Sequence, residues 1–415
     1  MAVTDTLVGI DLGTTKIGVI IAEVDDNGEV QVVGVGKTVS QGMRRGVVVN
    51  IDKTTQAIAA AIEQAEQMAG IQVRDVFVGI AGDHIRSINS RGIIAVARGN
   101  RVGRANIITQ QDVERVLEAA RAVALPMDRE VLHVLPQEFS VDDERCIREP
   151  IGMTGLRLEA DVHIITGAIA SAQNIYRCVR KAGVELRELV LESLASSYAV
   201  LNEEEKDLGV ALIDLGGGTT DIAVFYGGSI RHTSVIGLGG TNVTRDIALV
   251  LGIPTESAEK LKVERGDCYP PLSGAAPIEV EAVGDGRKRQ VDPVELNGII
   301  RARMEEIFEM ALREFKRVDC LNMLASGVVL TGGGSLMRGS AMLAEEIFRK
   351  QVRMGVPHGL SGLAETVHNP SFATGVGLVL YGMRQGYDGI ITGDDTAVFG
   401  GILKQMKSWF QGILD

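Results

Sequence analysis

The chain of 415 residues is best interpreted from one segment, Val210-Ala-Leu-Ile-Asp214-Leu-Gly-Gly-Gly-Thr-Thr-Asp221-Ile-Ala-Val. Its aliphatic runs predict two buried strands, and the glycine and threonine residues between them suit a tight hairpin turn. Glycine and small threonine residues let an anion approach the main chain, so several backbone N–H groups can converge on one phosphate. The segment therefore predicts a phosphate-binding hairpin with Asp214 at the end of its first strand.

The same pattern occurs near the start of the chain, in Leu7-Val-Gly-Ile-Asp11-Leu-Gly-Thr-Thr-Lys16-Ile-Gly-Val-Ile-Ile. Two facing copies would clamp a nucleotide. Carboxylates do not bind phosphate directly, so Asp11 and Asp214 are predicted to hold Mg²⁺ through water. The candidate phosphate contacts in the two turns are Gly13, Thr14, Thr15, Lys16, Gly216, Gly217, Gly218, Thr219 and Thr220.

A third segment, Gly327-Val-Val-Leu-Thr-Gly332-Gly-Gly-Ser335-Leu-Met-Arg338, predicts a strand, a glycine turn and a helix. Such a turn lets a purine or ribose lie against the backbone. One glycine-rich turn after a strand is usually structural. The ordered trio, however, resembles the phosphate 1, phosphate 2 and adenosine motifs of the actin-like ATPase superfamily. The resemblance implies a two-lobed α/β fold of duplicated ribonuclease-H-like domains that binds ATP and Mg²⁺ between the lobes. The third turn adds Gly332, Gly333, Gly334, Ser335 and Arg338 to the candidate nucleotide contacts.

Two further elements extend the candidate site. Gly239 and Gly240 precede a helical pattern, and Glu259 and Lys262, three residues apart, share a face of the next helix. This pair is either a surface ion pair or, by resemblance to the Glu-x-x-Lys of DnaK-type chaperones and bacterial actins, an adenosine contact. Both interpretations stay open.

Three acidic residues are the candidate catalytic residues: Glu192, Asp214 and Asp221. In bacterial actins a Glu-Pro segment before the second motif positions the attacking water, and here Glu192 is followed by Ser193. The resemblance therefore implies that Glu192 or Asp221 orients water while Lys16 neutralises phosphate charge. It also implies a weak ATPase that acts as a nucleotide-dependent assembly switch.

Composition excludes several classes of protein. There are 42 Lys and Arg against 54 Asp and Glu, a net charge of −12, so no general field favours nucleic acid. The start of the chain lacks a signal-peptide pattern, and we expect neither secretion nor a membrane span. Four cysteines without Cys-x-x-Cys spacing predict free thiols in a reducing cytosol rather than a metal site.

Residues 84–162 form a separable block that distinguishes this chain from actin. Within it, Thr109 opens a predicted helix and Asp112 completes an acidic variant of the capping box. This block, together with Gln41-Gly-Met-Arg-Arg-Gly-Val-Val-Val-Asn-Ile-Asp52, is similar to the FtsA family of cell-division proteins. The resemblance covers nearly the whole chain and implies that residues 84–162 serve filament contacts and later division proteins.

The last 31 residues, 385–415, give separate evidence for a membrane-binding function. Residues 385–401 are polar and rich in glycine, which is typical of a flexible linker. At 100° per residue, residues 402–415 are then predicted to form an amphipathic helix. Trp409 and the nearby lysines suit the headgroup boundary of an anionic membrane, although docking on the protein's own core is the alternative. FtsA-like proteins carry such a membrane helix. Its predicted apolar face consists of Ile402, Leu403, Met406, Trp409, Phe410, Ile413 and Leu414.

The resemblance also divides the chain into domains. We expect domain 1A in 1–83 and 163–196 with 366–384, subdomain 1C in 84–162, domain 2A in 197–236 and 306–365, and subdomain 2B in 237–305. Subdomain 2B is implied to receive the C-terminal peptide of FtsZ. Its basic residues, above all Arg287, Lys288 and Arg289, either meet that peptide or form a solvated face.

The sequence thus predicts an ATP-binding actin-like protein that polymerises on the cytoplasmic face of the inner membrane at the division site and anchors FtsZ there. A pilus-assembly scaffold of the same superfamily is the nearest alternative. A small-molecule kinase would need an acceptor pocket and has no evident use for the tail. A DnaK-type chaperone would need a long peptide-binding domain after Gly339, for which the chain is too short.

Overall fold

The structure is a computed structural model that describes residues 5–25, 28–96, 106–269, 277–281 and 288–386. Of the predicted linker, residues 385–401, Gln385 and Gly386 belong to the last described helix, and the remainder lies outside these ranges, as does the predicted membrane helix of residues 402–415. Within them, no helix has the length and apolar character needed to cross a membrane.

The first segment forms most of a six-stranded sheet. Strands β1 and β2 pair antiparallel with Asp11 opposite Gly18 and Leu12 opposite Ile17, so the predicted hairpin turn lies between them. The following helix can lie close to β3, because a Cβ added to Gly36 would be 1.9 Å from the carbonyl oxygen of Ala61. The elements are β1 (Asp5–Leu12), β2 (Lys16–Val24), β3 (Val30–Val39), β4 (Met43–Arg44), β5 (Val47–Val48), α1 (Ile51–Ala69) and β6 (Asp75–Ile80).

The next segment forms a separate four-stranded sheet in the order β10-β9-β12-β7 with its own buried core. Its helix begins as predicted, because the Asp112 carboxylate accepts hydrogen bonds from the Thr109 N–H at 3.0 Å and the Thr109 hydroxyl at 2.7 Å. The elements are β7 (Arg86–Ala95), β8 (Asn106–Ile107), α2 (Gln110–Arg121), β9 (Arg129–Val141), β10 (Glu144–Ile147), β11 (Thr154–Gly155) and β12 (Arg157–Ala168).

The chain then returns to the first sheet and crosses to the second lobe. Strand β13 completes one edge of the first sheet beside β6, and α4 follows it directly. The second predicted hairpin follows, with Asp214 opposite Asp221 and Leu215 opposite Thr220. The elements are α3 (Ile169–Lys181), β13 (Glu185–Leu191), α4 (Glu192–Val200), α5 (Glu203–Leu208), β14 (Val210–Leu215), β15 (Thr220–Tyr226) and β16 (Ser229–Ile236).

The remaining elements complete the second lobe and close the first. Strands β14, β15 and β16 join β19 and β20 in a five-stranded sheet ordered β16-β15-β14-β19-β20. The last helix packs against α4 in the first lobe, where a Cβ added to Gly377 would be 1.9 Å from the Ala195 carbonyl oxygen. The elements are α6 (Gly240–Leu251), α7 (Thr255–Arg265), β17 (Ile278–Glu281), β18 (Lys288–Val291), α8 (Pro293–Arg317), β19 (Val328–Thr331), α9 (Ser340–Phe348), β20 (Val352–Met354), β21 (Ser361–Gly362), α10 (Ala364–Val367) and α11 (Ala373–Gly386).

Each of the three larger sheets has a buried hydrophobic cluster. The first cluster surrounds the six-stranded sheet, and the second joins the five-stranded sheet to α6, α7 and α8. The predicted two-lobed α/β architecture with an inserted subdomain is therefore confirmed. The individual domain boundaries stay predictions.

Candidate nucleotide-binding cleft

A cleft of about 400 Å³ lies where the two lobes meet. All three glycine-rich turns identified in the sequence line it, together with the Glu259–Lys262 pair from α7. The predicted site residues that line the cleft are Asp11, Gly13, Thr14, Thr15, Lys16, Glu192, Asp214, Gly216, Gly217, Gly218, Thr219, Gly240, Glu259, Lys262, Gly332, Gly333, Gly334 and Arg338.

The two predicted phosphate turns face each other at close range. A Cβ added to Gly217 would be 2.5 Å from Thr15 Cγ2, and one added to Gly218 would be 2.5 Å from Thr14 Oγ1. The second turn is fixed from its own lobe, since the Thr241 hydroxyl donates a 2.7 Å hydrogen bond to the Gly217 carbonyl. Glycine is required here because it lets the two backbones approach from opposite lobes.

Four carboxyl groups lie around these turns, and burial raises the pKa of each of them. Burial, with Asp214 adding to it and Lys16 opposing it, raises the pKa of Asp11 to about 6. Burial and the neighbouring Asp214 raise the pKa of Asp221 to about 8. Burial and the surrounding acids hold the pKa of Glu192 well above its ordinary range. Asp11, Glu192 and Asp214 line the cleft, and within the described residues no three acidic, histidine or cysteine side chains are placed to ligate one metal ion directly.

Asp214 differs from its neighbours in its hydrogen bonds. Burial raises its pKa, while hydroxyl bonds from Ser196 and Thr374 to its Oδ2 atom act in the opposite direction. Sequence analysis missed both hydroxyls because they lie 18 and 160 residues from Asp214 along the chain.

Lys16 is the predicted cation of the first turn. Its ammonium group donates to the Ser371 carbonyl and lies 4.1 Å from the centre of the Phe372 ring. Burial lowers its pKa and the charge of Asp11 opposes this effect. A second lysine, Lys37 on β3, also lines the cleft and was not identified from the sequence.

Glu259 and Lys262 form an ion pair at one end of the cleft. The Lys262 ammonium lies 2.7 Å from Glu259 Oε2, 2.9 Å from the Thr244 hydroxyl and 3.2 Å from the Gly240 carbonyl. Beside them, the apolar side chains of Val263 and Leu336 line the cleft while 65% and 50% exposed. The shared helix face is therefore confirmed, and this end of the cleft offers an apolar surface next to polar groups.

Four predicted site residues do not line the cleft: Thr220, Asp221, Gly239 and Ser335. The Thr220 hydroxyl donates to the Leu238 carbonyl at 2.8 Å, and the Ser335 hydroxyl donates to the Gly332 carbonyl at 2.7 Å. A Cβ added to Gly239 would be 2.7 Å from the Gly216 carbonyl oxygen. These contacts show that Thr220, Gly239 and Ser335 shape the turns, and any direct contact of theirs with a nucleotide stays a prediction.

The fold is actin-like. The solved structure of the "PilM-PilN type IV pilus biogenesis complex" matches with a TM-score of 0.66 at 17% identity, over 91% of this chain and 98% of that chain. MreB5 of Spiroplasma citri bound to ADP matches with a TM-score of 0.54 at 12% identity, over 90% of this chain and 94% of that one.

Sequence comparison identifies the particular family. The family model for cell division protein FtsA matches residues 211–377, and the model for the SHS2 domain inserted in FtsA matches residues 82–166. Cell division protein FtsA of Pseudomonas aeruginosa is 45% identical, over 98% of this chain and 97% of the relative. FtsA of Escherichia coli K12 is 36% identical over the same shares. The chain therefore belongs to the cell division protein FtsA family.

Family membership makes the chain an actin-like cell-division protein that acts with the division machinery at the division site. The prediction of a cell-division protein is thereby confirmed over the pilus-assembly alternative, because the likeness to the pilus complex, at 17% identity, shows the fold alone.

Proposed function

We propose that this protein binds ATP with Mg²⁺ in the cleft, polymerises on the cytoplasmic face of the cell membrane and anchors FtsZ there. The observation that carries the nucleotide part is the convergence of three glycine-rich turns on one cleft of about 400 Å³. Pockets of this size, with an apolar end and a few convergent polar groups, are typical of small-ligand sites.

Different residues of the cleft would bind the phosphates, the base and the metal ion of the nucleotide. The backbone N–H groups of the facing turns and the Lys16 ammonium would hold the phosphates, while Val263 and Leu336 offer a surface to the base. Asp11 and Asp214 would hold Mg²⁺ through water, and the metal would supply charge neutralisation for the phosphates. Glu192 lines the cleft and packs against Gly79, since a Cβ added to Gly79 would lie 3.0 Å from the Glu192 Cγ atom. We assign to Glu192 the role of orienting the attacking water.

Isothermal titration calorimetry tests this assignment. Wild type should bind ATP with Mg²⁺, and Asp214→Ala should lower the affinity at least ~10-fold, about 1.4 kcal/mol. Asp75→Ala is the matched control, since Asp75 is an exposed carboxylate at the start of β6 in the first lobe. Undiminished binding by Asp214→Ala would refute the assignment.

Membrane attachment is proposed for residues 402–415. Seven apolar side chains on one predicted face, at ~1.5 to 3 kcal/mol each as an upper bound, support reversible binding that strengthens when many copies lie on one filament. Deletion of residues 402–415 should abolish co-sedimentation with liposomes that contain anionic lipid. The double variant Trp409→Ala/Phe410→Ala should do the same, whereas the polar-face control Gln405→Ala/Gln411→Ala should sediment as wild type does. Unchanged sedimentation of the deletion variant would overturn the proposal.

For the FtsZ peptide we propose a groove of about 560 Å³ between α6 and α8. In the predicted basic patch, Lys288 pairs with Glu279 at 2.6 Å, so its charge is already partly compensated. Arg287 lies outside the described residues. The groove combines apolar Val250, Ile299 and Ala302 with charged Asp246, Glu295, Arg303 and Glu306. Arg303, the only cation among the described residues that line the groove, is paired with Asp246 and Glu306, so the groove would bind a short amphipathic peptide chiefly through the peptide's apolar side chains.

Fluorescence anisotropy with a labelled FtsZ C-terminal peptide tests the groove. Val250→Glu should weaken binding at least ~10-fold, about 1.4 kcal/mol. Leu249→Glu is the matched control, because Leu249 is the neighbouring residue of α6, is 70% exposed and does not line the groove. If charge reversal of residues 287–289 abolishes binding and Val250→Glu does not, the peptide binds the β17–β18 hairpin instead.

Self-assembly and contacts with later division proteins are proposed for residues 84–162. This subdomain contacts the second lobe as well as the first, because Gln137 Nε2 donates to the Ile230 carbonyl at 2.8 Å and Ser87 Oγ to the Thr233 carbonyl at 2.9 Å. A partner bound to this subdomain would therefore act on an element that is itself hydrogen-bonded to the second lobe. Electron microscopy on an anionic lipid monolayer should show filaments with ATP, and their absence would contradict polymerisation.

A further inference from the structure

A buried pair of hydroxyl groups holds the carboxylate of Asp214. Ser196 Oγ donates to Asp214 Oδ2 at 2.6 Å, and Thr374 Oγ1 donates to the same oxygen at 3.2 Å. The two hydroxyl oxygens are 3.1 Å apart, and Ser196 is fully buried. Both bonds therefore end on a single oxygen of one carboxylate.

The pair joins the two lobes. Ser196 lies on α4 and Thr374 on α11, two helices of the first lobe, whereas Asp214 is the last residue but one of strand β14 in the second lobe. The helices are in backbone contact, since a Cβ added to Gly377 of α11 would be 1.9 Å from the Ala195 carbonyl oxygen of α4. Their hydroxyls are thus set at a fixed spacing before they meet Asp214.

The remaining oxygen of Asp214 points to the third glycine turn. A Cβ added to Gly332 would be 2.3 Å from Asp214 Oδ1, and both Asp214 and Gly332 line the cleft. Because Oδ2 already accepts two hydroxyl bonds, Oδ1 is the oxygen left to accept from water in the cleft. A carboxylate that could rotate freely would offer either atom.

We propose that Ser196 and Thr374 are positioning residues that lock the Asp214 carboxylate so that Oδ1 faces the water shell of a divalent cation bound with the nucleotide. This inference rests on the proposed function, since it concerns the same cleft. Ser196 does not line the cleft, and Thr374, which does, has its hydroxyl bonded to Asp214, so each residue would act through Asp214. A site held by such supporting hydrogen bonds binds its cation in one geometry, and losing the support typically costs 10- to 100-fold in metal affinity.

If the two hydroxyls only stabilised the fold, removing them would leave the Mg²⁺ dependence of ATP binding unchanged. The test is therefore a cation titration. ATP binding is measured by calorimetry at a series of Mg²⁺ concentrations for Ser196→Ala, Thr374→Val and the double variant. We expect the half-saturating Mg²⁺ concentration to rise at least ~10-fold in the double variant.

Two matched variants are the controls. Thr374→Ser keeps the hydroxyl, so its half-saturating Mg²⁺ concentration should stay within about twofold of the wild-type value. This change is small beside the ~10-fold rise that would support the proposal. Ser197→Ala removes a buried hydroxyl of the same helix that donates to the Leu194 carbonyl at 2.7 Å and should also leave the titration unchanged. Thermal unfolding of every variant shows whether it is folded, and the single variants serve if the double variant is not.

The outcomes are distinct. Unchanged Mg²⁺ dependence in folded Ser196→Ala and Thr374→Val, while wild type binds ATP, would overturn this assignment alone. An equal loss in Ser197→Ala would also overturn it, because the effect would then belong to the packing of α4. Failure of wild type to bind ATP with Mg²⁺ would overturn the proposed function and this assignment together.

Discussion

Gly332 is the residue at which one added methyl group should do most damage to the cleft. It follows β19 with φ 84° and ψ 163°, a backbone conformation that is essentially restricted to glycine. A Cβ there would lie 2.3 Å from Asp214 Oδ1 and 2.6 Å from the Leu215 carbonyl oxygen. Gly332→Ala therefore strains the turn and displaces the Asp214 carboxylate at the same time.

The size of the effect follows from these two costs. A non-glycine residue in a sparsely populated backbone region costs about 1–3 kcal/mol. Forcing an extra carbon into a well-packed site typically costs another ~1–3 kcal/mol. We expect Gly332→Ala to lower the free energy of unfolding by roughly 2–6 kcal/mol. Since Asp214 must move, the affinity for ATP with Mg²⁺ should also fall at least ~10-fold, about 1.4 kcal/mol.

Urea unfolding followed by circular dichroism measures the first quantity, and calorimetry measures the second. Gly333→Ala is the matched control in the next position, because its added Cβ would meet nothing closer than 3.7 Å and its φ is not positive. The control should unfold within about 1 kcal/mol of wild type, which is the scale of an exposed glycine-to-alanine change. Equal behaviour of the two variants in both assays would refute this account of the turn.

Two other substitutions test the carboxyl cluster and the inserted subdomain. The pKa of Asp221 is raised from 3.8 to about 8, so ionisation of this group opposes folding increasingly as the pH rises through that window, by up to about 1.4 kcal/mol per pH unit. In urea unfolding without nucleotide, Asp221→Asn should lose less stability than wild type between pH 5 and pH 8, and identical profiles would contradict the raised pKa. Gly92→Ala would place a Cβ 2.1 Å from the Val116 carbonyl oxygen, where α2 lies on β7, and should speed limited proteolysis within residues 84–162 while ATP binding persists. Loss of ATP binding in a folded Gly92→Ala protein would show that the subdomain and the cleft are not independent.

The sequence predicted the hairpin turns, the helix cap and the ion pair, because each of them is formed by residues that are close together in the chain. The strand-turn-strand segments around Asp11 and Asp214 specify their own hairpins, because antiparallel neighbours and glycine turns need only a few adjacent residues. The capping residues of α2 and the pairing of Glu259 with Lys262 are likewise set within one helical turn.

Contacts between segments that are far apart in the chain could not be predicted from the sequence pattern. Ser196 and Thr374 are separated by 178 residues, and nothing adjacent to either indicates a shared carboxylate. The groove between α6 and α8 depends in the same way on how two helices pack, so Val250 and Ile299 were not recognised as neighbours. The nucleotide contacts and the role of the tail stay predictions until the experiments above are made.

Helix α11 runs from the cleft to Gly386, the last described residue of the chain. Thr374 in its first turn bonds to Asp214, and its last residue, Gly386, is where the chain continues towards residues 402–415. Fourteen residues make a rod about 21 Å long. A tilt of only ~10° at the cleft would swing the far end by about 4 Å, given that length. A change in the Thr374–Asp214 bond that tilts α11 would therefore move Gly386, the point at which the chain continues towards residues 402–415, by about that distance.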